Sequence, residues 1–191
     1  MKSKFFYKIL LLCLSIAMTV MVVSNLAFNL TARRVLLNGL GDEAVKLSSQ
    51  AAKELNISRY EKLFTGVLPP KDAQGQLTRE LQQIQKGLGH KGVENIYALT
   101  VRGDDVLLVS DSSGDDVPFN KTDTVLVAVK KNVFSTGVHQ FSHEPYADQW
   151  GTWISGYVPV KDSRGRTMMI LGIDLPLGAF PLMDDIIRGN I

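Results

Sequence analysis

The sequence predicts an α+β domain behind a membrane-spanning helix, and three observations predict it. Residues 9–32 carry no charge. Apolar residues recur at helical spacing from Leu36 to Leu55 and again from Leu77 to Leu88. The second half of the chain holds two pairs of strand-like runs, each joined by a short polar turn. Helices lead and strands follow, an order that suits helices packed on one face of an antiparallel sheet.

The uncharged run is long enough to cross a bilayer, which takes about 20 residues of helix. Lys2, Lys4 and Lys8 precede it, and Arg33 and Arg34 close it. A cleaved signal peptide is the rival reading. Its apolar region is shorter, about 7–15 residues, and no clean small-x-small site ends this run, although the region near Ser24 to Ala27 can be argued as one. A retained anchor is preferred. The expected organisation is a cytoplasmic N-terminus at 1–8, a transmembrane helix at 9–32, an extracytoplasmic domain at 33–176 and an outgoing C-terminal helix at 177–191. The flanking charges bias orientation only slightly. The expected location is the inner membrane, single-pass, with the domain on the periplasmic or extracellular side.

Three of the 21 basic residues precede the span, leaving 18 against 19 acidic residues after it. That balance offers no basic face for nucleic acid. Cys13, the only cysteine, lies inside the span. No disulfide framework or cysteine-based metal site is therefore available to the exported part.

Leu36, Leu40, Ala44, Leu47, Ala51 and Leu55 step by three or four, so a single long helix is expected to leave the membrane. Leu63 to Gly75, with Pro69 and Pro70, reads as a loop. Leu77, Leu81, Ile84 and Leu88 mark a second helix. Ile96–Val101 and Val106–Ser110 read as a strand pair around a turn at Gly103-Asp104-Asp105, and residues 111–116 as a loop. Thr122 to Gly137 fits either period. Helix is preferred, with Thr122 or Asp123 as cap and Gly137 as terminator. His139 to Gly151 reads as loop.

The last strand pair carries the candidate site. It turns at Asp162-Ser163-Arg164-Gly165. Pairing Val160 with Thr167 sets Trp153 opposite Asp174, Ser155 opposite Gly172 and Tyr157 opposite Ile170, all on one face. Ile154, Gly156, Val158, Met169, Leu171 and Ile173 then share the face toward the helices. A bulge at Gly165 would instead set Ile154 against Asp174. On the preferred register the second face holds two aromatics, a serine, a glycine and a carboxylate. Aromatic walls with a few fixed polar groups describe a small-ligand pocket. A buried carboxylate needs a partner, which a ligand amine, Arg102 or a backbone N–H would supply. The competing role for Asp174 is to cap a helix beginning near Leu177.

The stretch "WGTWISGYVPVKDSRGRTMMILGIDL" resembles the final hairpin of Cache-type sensor domains, and "NIYALTVRGDDVLLVSD" resembles their first strand pair. These are the PAS-like extracytoplasmic modules of bacterial chemoreceptors, sensor kinases and GGDEF diguanylate cyclases. The resemblance runs in element order from Leu36 to Leu175. It implies a long N-terminal helix on one face of a central antiparallel sheet and a pocket on the other face. It also implies that Asp174, in the Gly172-Ile173-Asp174-Leu175 position, contacts a ligand amine. The tyrosine, arginine and tryptophan cluster of the amino-acid sensors is not evident before Trp150. No output domain follows Ile191, which suits a fragment, a stand-alone sensor or a partner-dependent subunit.

The expected ligand residues are Asp174, Trp153, Tyr157, Tyr146 and Ser155. Tyr146, on the preceding loop, is expected to cover the site. Dimerisation along the first helix and a signalling partner are expected as well. No catalytic residues, metal or cofactor are expected. His139 and His143 are four apart but sit in a loop with Pro145. The acidic pairs lack EF-hand spacing, and no nucleophile elbow or phosphate loop occurs. The leading expectation is a membrane-anchored sensor that binds a small ligand and signals through its terminal helices. The alternative is a membrane-anchored interaction module, without a ligand pocket, that regulates a partner in the same membrane.

Overall fold

The computed structural model describes residues 2–64, 71–89, 92–114, 121–148 and 150–179. It begins with one unbroken helix, α1 (Lys2–Glu54). The first part of α1 exposes Leu10, Leu14, Met18, Val22, Leu26 and Phe28, and it is long and apolar enough to cross a membrane. Past Arg33 the helix becomes one-sided. Leu37, Leu40, Ala44, Leu47 and Ala51 are buried, while Arg34, Val35, Asn38 and Gly39 are exposed.

Two helices follow, α2 (Ile57–Phe64) and α3 (Lys71–Leu88). Helix therefore occupies both ends of the expected loop, at 63–64 and at 71–75. Gly75 lies inside α3, which starts six residues before Leu77. Helix α2 was not foreseen, although Ile57, Tyr60 and Phe64 step by three and four. Glu80 on α3 ties α2 down. It accepts the Asn56 backbone N–H at 2.7 Å and the Tyr60 hydroxyl at 2.6 Å.

The strands are β1 (Asn95–Arg102), β2 (Asp105–Asp111), β3 (Lys121–Thr122), β4 (Gln140–Phe141), β5 (Tyr146–Ala147), β6 (Thr152–Lys161) and β7 (Thr167–Pro176). They form one antiparallel sheet in the order β3-β2-β1-β7-β6-β4, with β5 also on β6. The region 139–151 is thus not wholly loop. Two short strands extend the β6 edge there.

Helix α4 (Val127–Thr136) settles the ambiguous segment in favour of helix. Gly137 adopts φ 66°, and its N–H returns to Val133 O, as a C-terminal glycine should. Neither Thr122 nor Asp123 caps it. Leu126 holds the N-cap position, while Asp123 accepts the Val125 N–H at 2.9 Å.

The two sheet faces differ. Ile96, Ala98, Val158, Met169, Leu171 and Ile173 join the stripes of α1 and α3 in the main core. On the other face Tyr97, Leu99, Tyr157 and Ile170 pack under Val127, Val129 and Val133 of α4. Helices therefore cover both faces, although only one was expected to carry them. Where a helix is expected from Leu177, the described residues form a 3₁₀ turn, Leu177–Ala179. The remainder of that expectation lies outside the described residues.

The β6–β7 register differs from the preferred one in pairs but not in faces. The last pair is Lys161 with Thr167, one residue later than expected, and a bulge at Met168 adds a second residue. Ser155 is thus opposite Asp174, Tyr157 opposite Gly172 and Trp153 opposite Pro176. Two single-residue shifts restore the parity of the pleat, so every side chain keeps its predicted face. The turn itself is held by Asp162, which accepts the backbone N–H groups of Arg164 and Arg166 at 2.9 and 2.8 Å.

Helix α1 sits against β6 at backbone distance. A Cβ on Gly156 would stand 2.4 Å from both Ala44 C and Val45 N. Ser48 completes the contact by donating to Gly156 O at 3.0 Å. Because the obstruction is backbone, no rotamer relieves it. Gly156→Ala should destabilise the domain by about 2 kcal/mol or more, as overpacked cores do. Gly87→Ala, on an exposed helix surface with no atom within 4 Å of the new Cβ, should be neutral or stabilise by up to about 1 kcal/mol. Urea unfolding of both variants checks the pair.

Candidate functional site

The second sheet face would need no charge if its only task were to pack α4. It nevertheless carries Asp174, on β7 in the middle of the sheet. Its lateral neighbours are Asn95 on β1 and Ser155 on β6. The next row along the strands places Gly172 between Tyr97 and Tyr157. Glycine is required at its centre, because the Tyr97 ring crosses over it. A Cβ there would meet the ring at 2.4 Å.

That crossing brings the Tyr97 hydroxyl to Asp174 Oδ1 at 2.8 Å. Ser155 Oγ donates to the same oxygen at 2.5 Å, and the Tyr146 hydroxyl reaches it at 3.2 Å. Tyr146 and Ser155 are also 2.7 Å apart, and the Tyr97 hydroxyl lies 3.5 Å from that of Tyr157. The two rings meet edge-on, with centroids 6.4 Å apart. One carboxylate oxygen therefore collects three hydroxyl donors. Among the described residues none donates to Oδ2.

Four of the five expected ligand residues come together here: Asp174, Ser155, Tyr146 and Tyr157. Tyr146 reaches the carboxylate from strand β5 and not from the loop expected to carry it. Trp153 shares the face but stands one row further out, opposite Tyr146 and Pro176, with its indole N–H donated to Asp148 at 2.9 Å. Asp174 does not act as a helix cap, since its side chain is committed to the sheet face. Arg102 is not its partner either. It ends β1, exposed, opposite Asp105.

The cation near Asp174 is Lys130, from α4. It is 2% exposed. Its ammonium is 2.6 Å from Asp123 Oδ2, 5.3 Å from the centre of the Tyr157 ring and 5.9 Å from that of Tyr97. Sequence reasoning missed Lys130, Asp123 and Tyr97. Tyr97 has the strand phase of this face once β1 pairs with β7. Lys130 is three residues after Val127 and four before Phe134, a lysine on the apolar stripe of its helix.

Burial sets the titration of the cluster. It pushes the Asp174 carboxyl up to about 6, while the hydroxyl donors and the Lys130 charge pull the other way. Burial, followed by the nearby carboxylate, raises the phenols of Tyr97, Tyr146 and Tyr157 well above their usual value. They remain hydrogen-bond donors at neutral pH. Burial lowers Lys130, and the Asp123 charge restrains that shift. The arrangement is built to hold and balance charge. Among the described residues no group of three or more potential ligands surrounds a metal position. His143 stacks edge-on against Phe141 at 4.8 Å instead.

Two open cavities lie elsewhere. One is lined by Asn56, Arg59, Arg79 and Glu80, the other by Arg33, Arg34, Phe141 and His143. Neither is lined by any of the five expected ligand residues.

Compared by sequence, the chain matches no family model and no curated protein. Compared by structure, it is similar to the sensor domain of E. coli DcuS, with a TM-score of 0.54 and 11% identity over 78% of this chain and 97% of that one. It also overlaps the ligand-binding domain of the Pseudomonas aeruginosa PAO1 amino-acid chemoreceptor PctC in complex with GABA (TM-score 0.43, 14% identity, 84% of this chain and 63% of that one). The extracellular domain of the putative histidine kinase mmHK1S-Z2 overlaps at a TM-score of 0.42, with 11% identity over 75% and 60% of the two chains. The DcuS likeness establishes that this chain shares the α+β fold of that sensor domain. At such low identity it speaks to the fold alone.

The raised carboxyl of Asp174 has a measurable consequence. Its value in the folded protein exceeds the unfolded value of about 3.9, so the folded state keeps a proton that the unfolded chain releases. The stability this group contributes is complete below about pH 4 and is lost as pH rises to about 6. Unfolding free energies of wild type and Asp174→Asn, measured from pH 4 to 7, should show the wild-type advantage shrinking by up to about 3 kcal/mol over that window. A difference independent of pH would mean that Asp174 titrates at its ordinary value. Gly172→Ala should displace Tyr97 and remove one of the hydroxyl donors that hold the Asp174 carboxyl down, so the same pH dependence should widen.

Proposed function

We propose that the chain is a membrane-anchored sensor domain that takes a small organic cation on the sheet face around Asp174. The observation that carries the reading is the position of that carboxylate relative to the chain's exit. Asp174 is three residues before Leu177, which is 1% exposed and packs against Leu37, Leu40 and Ile154. Leu37 and Leu40 lie one to two turns of α1 beyond Arg33 and Arg34, where the apolar segment closes. The outgoing segment and the incoming helix thus meet next to the membrane-proximal end. A change in the charge or packing at Asp174 has only one strand end to cross before it reaches that contact.

The polar chemistry supports the ligand class. Tyrosine rings, a serine and a carboxylate favour an ammonium group over an anion. Signalling follows if the ligand binds more tightly to one arrangement of β7 and α1 than to another. Without that differential affinity it shifts nothing. Dimerisation along α1 and an extracytoplasmic location belong to the same proposal, supported by the fold and by the apolar segment.

A second reading, an interaction module without a ligand pocket, is favoured by one observation. Lys130 already supplies a cation to this face.

A thermal-shift screen of the full chain in detergent separates the readings. At a hundred times its dissociation constant, a ligand stabilises its protein by about 2.7 kcal/mol. In a domain of this size that raises the midpoint by several degrees. The sensor reading expects such a shift from amines or quaternary ammonium compounds, and its loss in Asp174→Asn. A library of amines, amino acids, carboxylates and polyamines that moves neither protein would favour the interaction module.

A further inference from the structure

The most unusual group in the domain is the buried ammonium of Lys130. Lysine gains little by burial, and its charge is costly to desolvate. A methionine here would fill similar space with no ion to compensate. What surrounds Lys130 is also not a lone counter-ion. Asp123 accepts a hydrogen bond from it, the faces of Tyr157 and Tyr97 lie within cation–π reach, and the hydroxyls of the same two tyrosines lead to Asp174. Aromatic faces with a carboxylate are how proteins hold free organic ammonium groups.

The segment that delivers Lys130 is itself under tension. Leu126, at the start of α4, has φ 49° and ψ 35°, a left-handed conformation that a leucine rarely adopts. No side chain caps the helix there. Asp123 holds both ends of this arrangement, accepting the Val125 N–H with one oxygen and the Lys130 ammonium with the other. A strained residue of this kind persists only while its surroundings hold it. Breaking the contact between Lys130 and Asp123 removes one of those restraints.

We propose that Lys130 is the tethered occupant of an organic-ammonium site, and that an external amine takes the site only in exchange for Lys130, which withdraws with α4. The proposal rests on the reading of this sheet face as the ligand face, and it adds the mechanism of entry. It also explains how one face can be closed in the resting protein and still carry the chemistry of a cation site. The groups facing the ammonium are Asp123 from the segment before α4, Tyr97 from β1, Tyr157 from β6 and, beyond the tyrosine hydroxyls, Asp174 from β7.

Chemical rescue tests it. In the full chain in detergent, Lys130→Ala removes the tether and leaves the site. Ethylammonium chloride should raise the thermal midpoint of Lys130→Ala saturably, by several degrees. It should leave Lys130→Met unmoved, because that side chain fills the position, and should raise wild type less than Lys130→Ala, because there the amine must first displace Lys130. Sodium chloride at equal ionic strength should have no such effect. If Lys130→Ala does not fold in buffer, it should fold when ethylammonium is present. Equal shifts in all three proteins would overturn the proposal. So would failure of Lys130→Ala to respond or fold with the amine while Lys130→Met folds.

A second measurement keeps this inference separate from the sensor reading. Acetylation followed by mass spectrometry should find Lys130 protected in the resting wild type, unlike the exposed Lys46 and Lys53. Tetramethylammonium, which is not acetylated, should raise Lys130 labelling tenfold or more. Rescue of Lys130→Ala with no compound ever stabilising wild type or exposing Lys130 would support the cation site and sink both the sensor and the exchange. A compound that stabilises wild type while Lys130 stays protected would support the sensor and overturn the exchange.

Discussion

The close seat of α1 on β6 is the constraint on which the rest depends. Gly156 lets the helix backbone approach the strand to a distance that a methyl group would forbid. Phe141 uses a second glycine in the same way, its ring lying where a Cβ on Gly41 would stand. With α1 drawn this close, the apolar sides of β6 and β7 are consumed by one helix and the stripe of α3. The opposite side of the same strands is then free to hold groups that a core would not tolerate. The polar face exists because the apolar face is satisfied by so little material.

On that polar face the governing term is desolvation. Asp174, Lys130 and Asp123 are taken largely out of water, and each is compensated in a different way. Asp174 collects hydroxyl donors on one oxygen, and its carboxyl is nevertheless raised. Lys130 relies on a direct ion pair and two aromatic faces. Replacing such a buried pair with apolar residues is often neutral or stabilising, whereas removing one partner is costly. A charge cluster of this kind is weak as a stabilising device and well suited to a change of state. Asp174, three residues before Leu177, puts that capacity beside the contact between the end of β7 and α1.

Much of this was legible from residue spacing. The continuity of α1, the strand pairs, the terminating Gly137 and the choice of face for Trp153, Ser155, Tyr157 and Asp174 all follow from the helical and strand periods. The errors came where period says nothing. The β6–β7 pairs were displaced because neither the loop length nor the bulge at Met168 leaves a mark in the alternation of apolar residues. Helix α2 was hidden by its brevity, and the start of α3 by Gly75, a residue that a helix tolerates at small cost.

Local pattern alone decided which side chains could meet, because strand parity survives an even shift of register. It therefore determined that a carboxylate, a serine and tyrosines would share one face. Which atoms do meet was a matter for the tertiary structure. Tyr97 reaches Asp174 only because β1 pairs with β7 and the ring crosses Gly172. Lys130 reaches the same face only because α4 lies over it, a packing choice made between elements some thirty residues apart in sequence. Burial of that lysine depends on the sum of its surroundings, and no spacing along the chain encodes such a sum.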